Sequence, residues 1–205
     1  MRTYPIMLRL GGRPVVVVGA GSVGLRKADA LRRAGAQVRL VAPRLDPEAD
    51  TGGLEVVREP YRPALLDGAV LVFAATDDAE LNRRIADDAR RIGAWVNVAD
   101  TPEECDFYLS SVLREGEVVV AVGTGGAAPA LSAWLRRHLA DRLPERLGEY
   151  AAALERIRSE LKASLPDAAR RMDVMRRLVT DETHRDFLAR GPAALRAKLA
   201  ELLDG

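Results

Sequence analysis

Val15-Val16-Val17-Val18-Gly19-Ala20-Gly21-Ser22-Val23-Gly24 decides the fold of this chain. Four consecutive β-branched residues suit a strand that is covered on both faces of a parallel sheet. Leu25, Ala28, Leu31 and Ala34 then recur at helical spacing, and Gly35 stops the pattern. Strand, tight glycine turn and helix N-terminus, in that order, make a pocket for a diphosphate. Gly19 permits the turn, Gly21 lets the backbone approach the phosphates, and Gly24 lets helix and strand pack closely. The first helical N–H groups of Ser22, Val23 and Gly24 have no acceptor inside the helix and point at the ligand. Glycine spacing alone arises by chance. The strand before it and the helix after it favour dinucleotide binding over a merely structural turn.

Working outward, Gln37–Val41 predicts a second strand that closes a βαβ unit. An acid usually ends this strand and holds the adenosine ribose. Ala42-Pro43-Arg44 stands there instead. Arg44 is compatible with a 2′-phosphate, as in NADP, or with a solvated surface position, and Pro43 can contact adenine. These residues leave NAD against NADP open. Upstream, residues 4–10 alternate apolar and polar and predict a short strand. Downstream, strands are predicted at 54–57, 69–75 and 95–98, a helical turn at 64–66 and a helix at 79–92. Thr76-Asp77-Asp78 follows the fourth strand, where it caps the helix, lines the cofactor crevice, or does both.

Two further strands, 106–114 and 117–122, are joined by Glu115-Gly116. Gly123-Thr124-Gly125-Gly126 is a second glycine loop, and Pro129 opens the helix behind it. Leu131, Leu135 and Leu139 give that helix one apolar stripe. From residue 145 the pattern is helical only, with helices predicted at 145–164, 166–179, 183–189 and 192–203. The expected class is therefore α/β: a Rossmann-type parallel sheet, then a small β/α region, then an all-helical C-terminal part.

The chain has 205 residues, 31 basic and 30 acidic, for a net charge of +1. Such balance gives no case for a nucleic-acid or membrane partner. The first ten residues lack a signal-peptide pattern, and no apolar run nears the length of a membrane helix. The single cysteine, Cys105, excludes an intrachain disulfide and fits a cytoplasmic location. His138 and His184 stand on separate helices without metal-ligand spacing, so no metal site is expected.

Asp100 ends the fifth strand beside the expected crevice. A carboxylate there serves as a general base or as a loop hydrogen-bonder. Asn97, on the same strand, is expected on the same face as Asp100. Asp106 reads as a surface charge and Cys105 as a small loop residue. The Thr124-Gly125-Gly126 loop precedes a helix and either receives an anion or is a plain turn.

These stretches, in this order, resemble the precorrin-2 dehydrogenase family, also called the siroheme synthase N-terminal type. The matching residues are Tyr4-Pro5-Ile6, Gly19 to Gly24 with Arg26-Lys27-Ala28, and Val41-Ala42-Pro43. Further on are Ala74-Ala75-Thr76-Asp77-Asp78 with Leu81-Asn82, Asn97-Val98-Ala99-Asp100, and Thr124-Gly125-Gly126 with Pro129. The resemblance covers about residues 1 to 145.

The resemblance implies oxidation of precorrin-2 to sirohydrochlorin with NAD as hydride acceptor. Some members of the family also insert ferrous iron or cobalt. It implies a homodimer, with an NAD-binding domain at 1–112, a dimerisation region at 113–144 and a helical domain at 145–205. The family's key aspartate falls on Asp100, and its cofactor contacts fall on Ser22, Val23, Pro43 and Arg44. Asn97, Thr124, Gly125 and Gly126 fall on the substrate side, and Thr76 on the cofactor side. The family's habit favours NAD despite Arg44. The chain departs from the family at Gly123, where a serine is frequent, and at Ala127-Ala128, where a hydroxyl or amine is frequent. Two rival functions share the scaffold: a non-catalytic NAD(H)-sensing module, and a different small-molecule NAD(P) dehydrogenase.

Overall fold

The computed structural model describes residues 3–204 and divides into two compact units, Met1–Leu109 and Ser110–Gly205. The first unit is a five-stranded parallel sheet. Its strands are β1 (Pro14–Val18), β2 (Gln37–Val41), β3 (Glu55–Val57), β4 (Leu71–Ala74) and β5 (Trp95–Val98). Their order in space is β3-β2-β1-β4-β5. Helix α1 (Ser22–Arg33) links β1 to β2, and α2 (Ala79–Arg91) links β4 to β5. Strand order reverses between β1 and β4, and ligands of such sheets bind outside the carboxyl ends of the strands at that point.

The valine run explains the layering. Successive side chains of a strand point to opposite faces. Val15 and Val17 pack with Ala28, Leu31, Leu40 and Phe73 on the α1 face. Val16 and Val18 pack with Val72, Ile85, Val96 and Val98 on the α2 face. All four are essentially buried, and each contributes roughly 1.5–3 kcal/mol.

Residues 4–10 form no strand. They run irregularly and largely exposed, because no neighbouring strand offers them a ladder. The predicted strand at 106–114 shortens to β6 (Ser111–Glu115). Its first residues are used elsewhere: Asp106 N–H donates to Val96 O at 2.9 Å, and Val96 N–H donates to Asp106 Oδ2 at 2.9 Å. Asp106 is thus more than a surface charge, since it closes the open edge of β5.

Asp88 of α2 is buried and accepts the Tyr61 hydroxyl at 2.8 Å, with Arg91 beside it. This fastens α2 to the loop after β3. Burial, and then the hydrogen bond to Asp88, push the Tyr61 phenol above its ordinary value of 10. A raised phenol stabilises the native state fully below pH 10, and that contribution is lost as pH rises beyond it. Tyr61→Phe is expected to cost about 1 kcal/mol at neutral pH. It should also flatten the loss of stability above pH 10, measured by urea unfolding across pH.

In the second unit β6 pairs antiparallel with β7 (Val118–Val122), and α3 (Pro129–Ala140) follows. Helices α4 (Leu147–Ser164), α5 (Ala168–Leu178), α6 (Asp181–Arg190) and α7 (Pro192–Asp204) share a core of Tyr150, Ile157, Leu161, Leu178, Phe187 and Leu195. Gly148 opens α4 against the hairpin turn. A Cβ there would meet Glu115 O at 2.8 Å, and Gly148 N–H donates to Glu115 Oε1 at 3.1 Å. A cleft of about 350 Å³ lies between the hairpin and the start of α4, and no predicted site residue lines it.

Candidate dinucleotide site

The sheet register levels the site. Val18 pairs with Val41 and Ala74, and Ala74 pairs with Val98. Beyond each strand the next amide bonds to its neighbour: Gly19 N–H to Val41 O, Ala75 N–H to Val18 O, and Ala99 N–H to Ala74 O, at 2.8–2.9 Å. The loops after β1, β2, β4 and β5 therefore leave from one rim. Gly19, Gly21, Pro43, Arg44, Thr76 and Asp100 follow on those loops, Ser22, Val23 and Gly24 open α1 behind the first of them, and Asn97 lies just below in β5.

The three glycines of the first loop have different duties. A Cβ on Gly19 would meet Ala75 O at 2.2 Å, and its φ of 108° is open to glycine alone. A Cβ on Gly24 would meet Gly19 O at 1.9 Å. Both are packing glycines. A Cβ on Gly21 would meet nothing within 4 Å, so its surface faces open space. Gly21 is also the N-cap of α1, with no side-chain cap and no acid in the first turn. The first helical bond runs from Leu25 N–H to Gly21 O, which leaves the amides before Leu25 for an anion. The start of α2 differs. Asp78 accepts Glu80 N–H and Leu81 N–H at 2.9 and 3.0 Å, with Glu80 in the first turn. Only the α1 mouth is open to a diphosphate among the two helices of this unit.

Capping of α2 thus falls to Asp78, and Thr76 is held by a residue whose role was not legible in sequence. Asn82, 6% exposed, accepts Thr76 N–H at 3.1 Å and the Thr76 hydroxyl at 2.7 Å, and donates to Thr76 O at 3.0 Å. A polar residue one turn into an amphipathic helix was the available signal. Asn82→Leu is expected to cost about 2 kcal/mol, because the Thr76 N–H and C=O lose their Asn82 partner while the hydroxyl keeps only Asp78. The denaturant midpoint checks this.

Asn97 does not share a face with Asp100. Asn97 is buried in β5, whereas Asp100 has left the strand and stands exposed, with φ 58°. Asn97 accepts Lys27 Nζ at 2.8 Å and donates to Phe107 O at 3.0 Å. It therefore ties α1 to β5 from beneath the rim. Lys27 is half-buried with its ammonium 5.3 Å from the Phe73 ring centre. Burial lowers its pKa most, partly opposed by the nearby Cys105 and Asp100. Cys105 also serves the edge of β5. Its thiol lies 3.2 Å from both Val98 N and Val98 O, and burial raises its pKa, which suppresses the thiolate.

In the second unit Gly125 and Gly126 both have positive φ, 63° and 83°. The Thr124 hydroxyl accepts Ala128 N–H at 3.1 Å and meets buried Ser132 Oγ at 3.2 Å. It fastens the start of α3. Among the described residues no group of three or more His, Cys, Asp or Glu is placed to hold a metal ion. No helix there is long and apolar enough to cross a membrane.

A doubly wound parallel sheet with an uncapped glycine-loop helix at its switch point defines a dinucleotide-binding protein of the Rossmann class. The family model described as "Putative NAD(P)-binding" matches residues 6–111, and the chain belongs to that NAD(P)-binding family. It is 37% identical to siroheme synthase 1 of Aeromonas salmonicida over 207 residues, covering 99% of this chain and 44% of that protein. It is 41% identical to siroheme synthase of Chromobacterium violaceum over 171 residues, covering 82% and 36%. The chain spans less than half the length of these relatives. The solved structure of SirC, precorrin-2 dehydrogenase, superposes with a TM-score of 0.81 at 22% identity, covering 99% of this chain and all of that one. That likeness shares the fold.

Proposed function

We propose that the chain is an NAD-dependent precorrin-2 dehydrogenase, which oxidises precorrin-2 to sirohydrochlorin in siroheme or cobalamin-type biosynthesis. One observation carries the reading: uncapped amides at the α1 mouth and the exposed carboxylate of Asp100 leave the same rim of one sheet. NAD, when bound, takes the hydride. Ser22, Val23 and the glycine loop hold its diphosphate, Pro43 and Arg44 face its adenosine end, and Thr76 lines the crevice. Asp100 accepts the proton that leaves the ring system with the hydride. Asn97, Thr124, Gly125 and Gly126 keep the substrate role that the family resemblance implies. The relatives named siroheme synthase support the substrate.

The reading includes a cytoplasmic homodimer. Leu131, Trp134 and Leu139 leave an exposed apolar stripe on α3, with Val112 exposed on β6. Such a stripe fits an isologous interface across the region 113–144, with 145–205 as a helical domain. Light scattering of the purified chain should return twice the mass of one chain.

The deciding assay mixes the protein with precorrin-2 and NAD and follows NADH absorbance. It is repeated with ferrous or cobalt ion as a second substrate, and metal-dependent loss of sirohydrochlorin would add chelatase activity. Dinucleotide binding without NADH formation would favour the sensing module instead.

A further inference from the structure

We infer that the adenosine end of this site accepts a 2′-phosphate, so that the chain binds NADP(H) as well as NAD(H). The inference rests on the dinucleotide reading above and deepens it. In this fold the adenosine ribose lies at the end of the second strand, where an acid selects the free 2′-hydroxyl and an arginine accommodates a 2′-phosphate. Here β2 ends in Ala42-Pro43-Arg44, with no acid.

The structure adds a second guanidinium. Val41 pairs with Val57 in the parallel ladder, and Ala42 N–H donates to Val57 O at 3.1 Å. Arg58 therefore leaves β3 alongside the backbone that leads into Pro43 and Arg44. Arg44 and Arg58 are both exposed. Among the described residues neither one has a carboxylate partner or a side-chain hydrogen bond.

Two acids of the same neighbourhood are paired with other arginines. Glu55 pairs with Arg39 at 2.9 Å, and Glu59 with Arg62 at 2.8 Å. Asp46 and Asp50 accept the amides of Glu48 and Gly52 at 2.9 and 3.0 Å. Among the described residues, two guanidiniums without a carboxylate partner thus stand at the ends of β2 and β3, while Asp46, Glu48 and Asp50 in the connection between them have no arginine partner either. A phosphate dianion is the partner that guanidinium geometry suits.

The test measures dissociation constants of NADH and NADPH on the full chain by ligand fluorescence, for wild type, Arg58→Ser and Arg44→Ser/Arg58→Ser. Wild type is expected to bind NADPH within about threefold of NADH. In the double variant NADPH affinity should fall at least tenfold further than NADH affinity, with Arg58→Ser in between. Added salt should weaken NADPH more than NADH. Wild type that binds NADH but holds NADPH a hundredfold more weakly overturns the inference and leaves the dinucleotide reading standing. So does an equal loss of both ligands in the double variant. Failure to bind either ligand overturns both.

Discussion

Asp100→Asn should lower NADH formation from precorrin-2 by about 10²- to 10⁴-fold, the usual worth of a positioned acid or base. The choice of asparagine follows from the backbone. Asp100 sits at φ 58°, a region that asparagine and aspartate tolerate and that alanine enters only with strain. Alanine would confuse a lost carboxylate with a disturbed turn. Asparagine keeps the shape and hydrogen-bonding of the side chain and removes its basicity. Asp100 is exposed, so the exchange should leave the thermal midpoint within a few degrees. NADH binding should persist, because the diphosphate depends on the α1 mouth. A turnover within threefold of wild type would end the catalytic assignment.

Gly24→Ala and Gly21→Ala should fail in opposite ways. At Gly24 the added methyl would stand 1.9 Å from Gly19 O. Backbone cannot step aside as a flexible side chain does, so α1 must move off β1. A loss of about 3 kcal/mol is expected, at the upper end of overpacking costs, together with dinucleotide binding. At Gly21 the methyl meets nothing within 4 Å, and the backbone there, φ −70° and ψ 177°, is open to any residue. Stability should change by less than about 0.5 kcal/mol. Binding should still fall at least tenfold, because the methyl occupies the space that the diphosphate needs. Urea unfolding and NADH titration of the two variants separate packing from recognition. Retained NADH affinity in Gly21→Ala would move the ligand away from this loop.

The two outcomes show how much of the site a reader of the sequence can reach. The spacing of Gly19, Gly21 and Gly24 after four valines announced strand, turn and helix, because each step is dictated by local sterics. The same spacing assigned Gly21 to ligand approach and Gly24 to helix packing, but it could not show that Gly19 is closed against Ala75 O, which comes from a distant strand. Asp100 was legible as the residue that ends the fifth strand. Its left-handed backbone was not, and neither was the separation from Asn97, which the structure buries under Lys27. Residues 4–10 alternate like a strand, but alternation carries no information on whether a partner strand exists. Asn82 and Lys27 carry no legible task in the sequence, because their partners are 6 and 70 positions away.

What the chain determined by itself were its local and periodic features: the βα alternation, the glycine loops, the helical tail, and an arginine where an acid is usual. These follow from side-chain shape and from hydrophobic period, which act over one or two turns. Only tertiary structure decided the strand order β3-β2-β1-β4-β5 and hence the position of the switch point. It also decided that Asn97 meets Lys27 of α1, and that Arg58 leaves β3 next to the backbone that leads into Arg44. Those outcomes depend on hydrogen bonds and packing between residues far apart in sequence, and such pairings arise only when the strands are laid side by side.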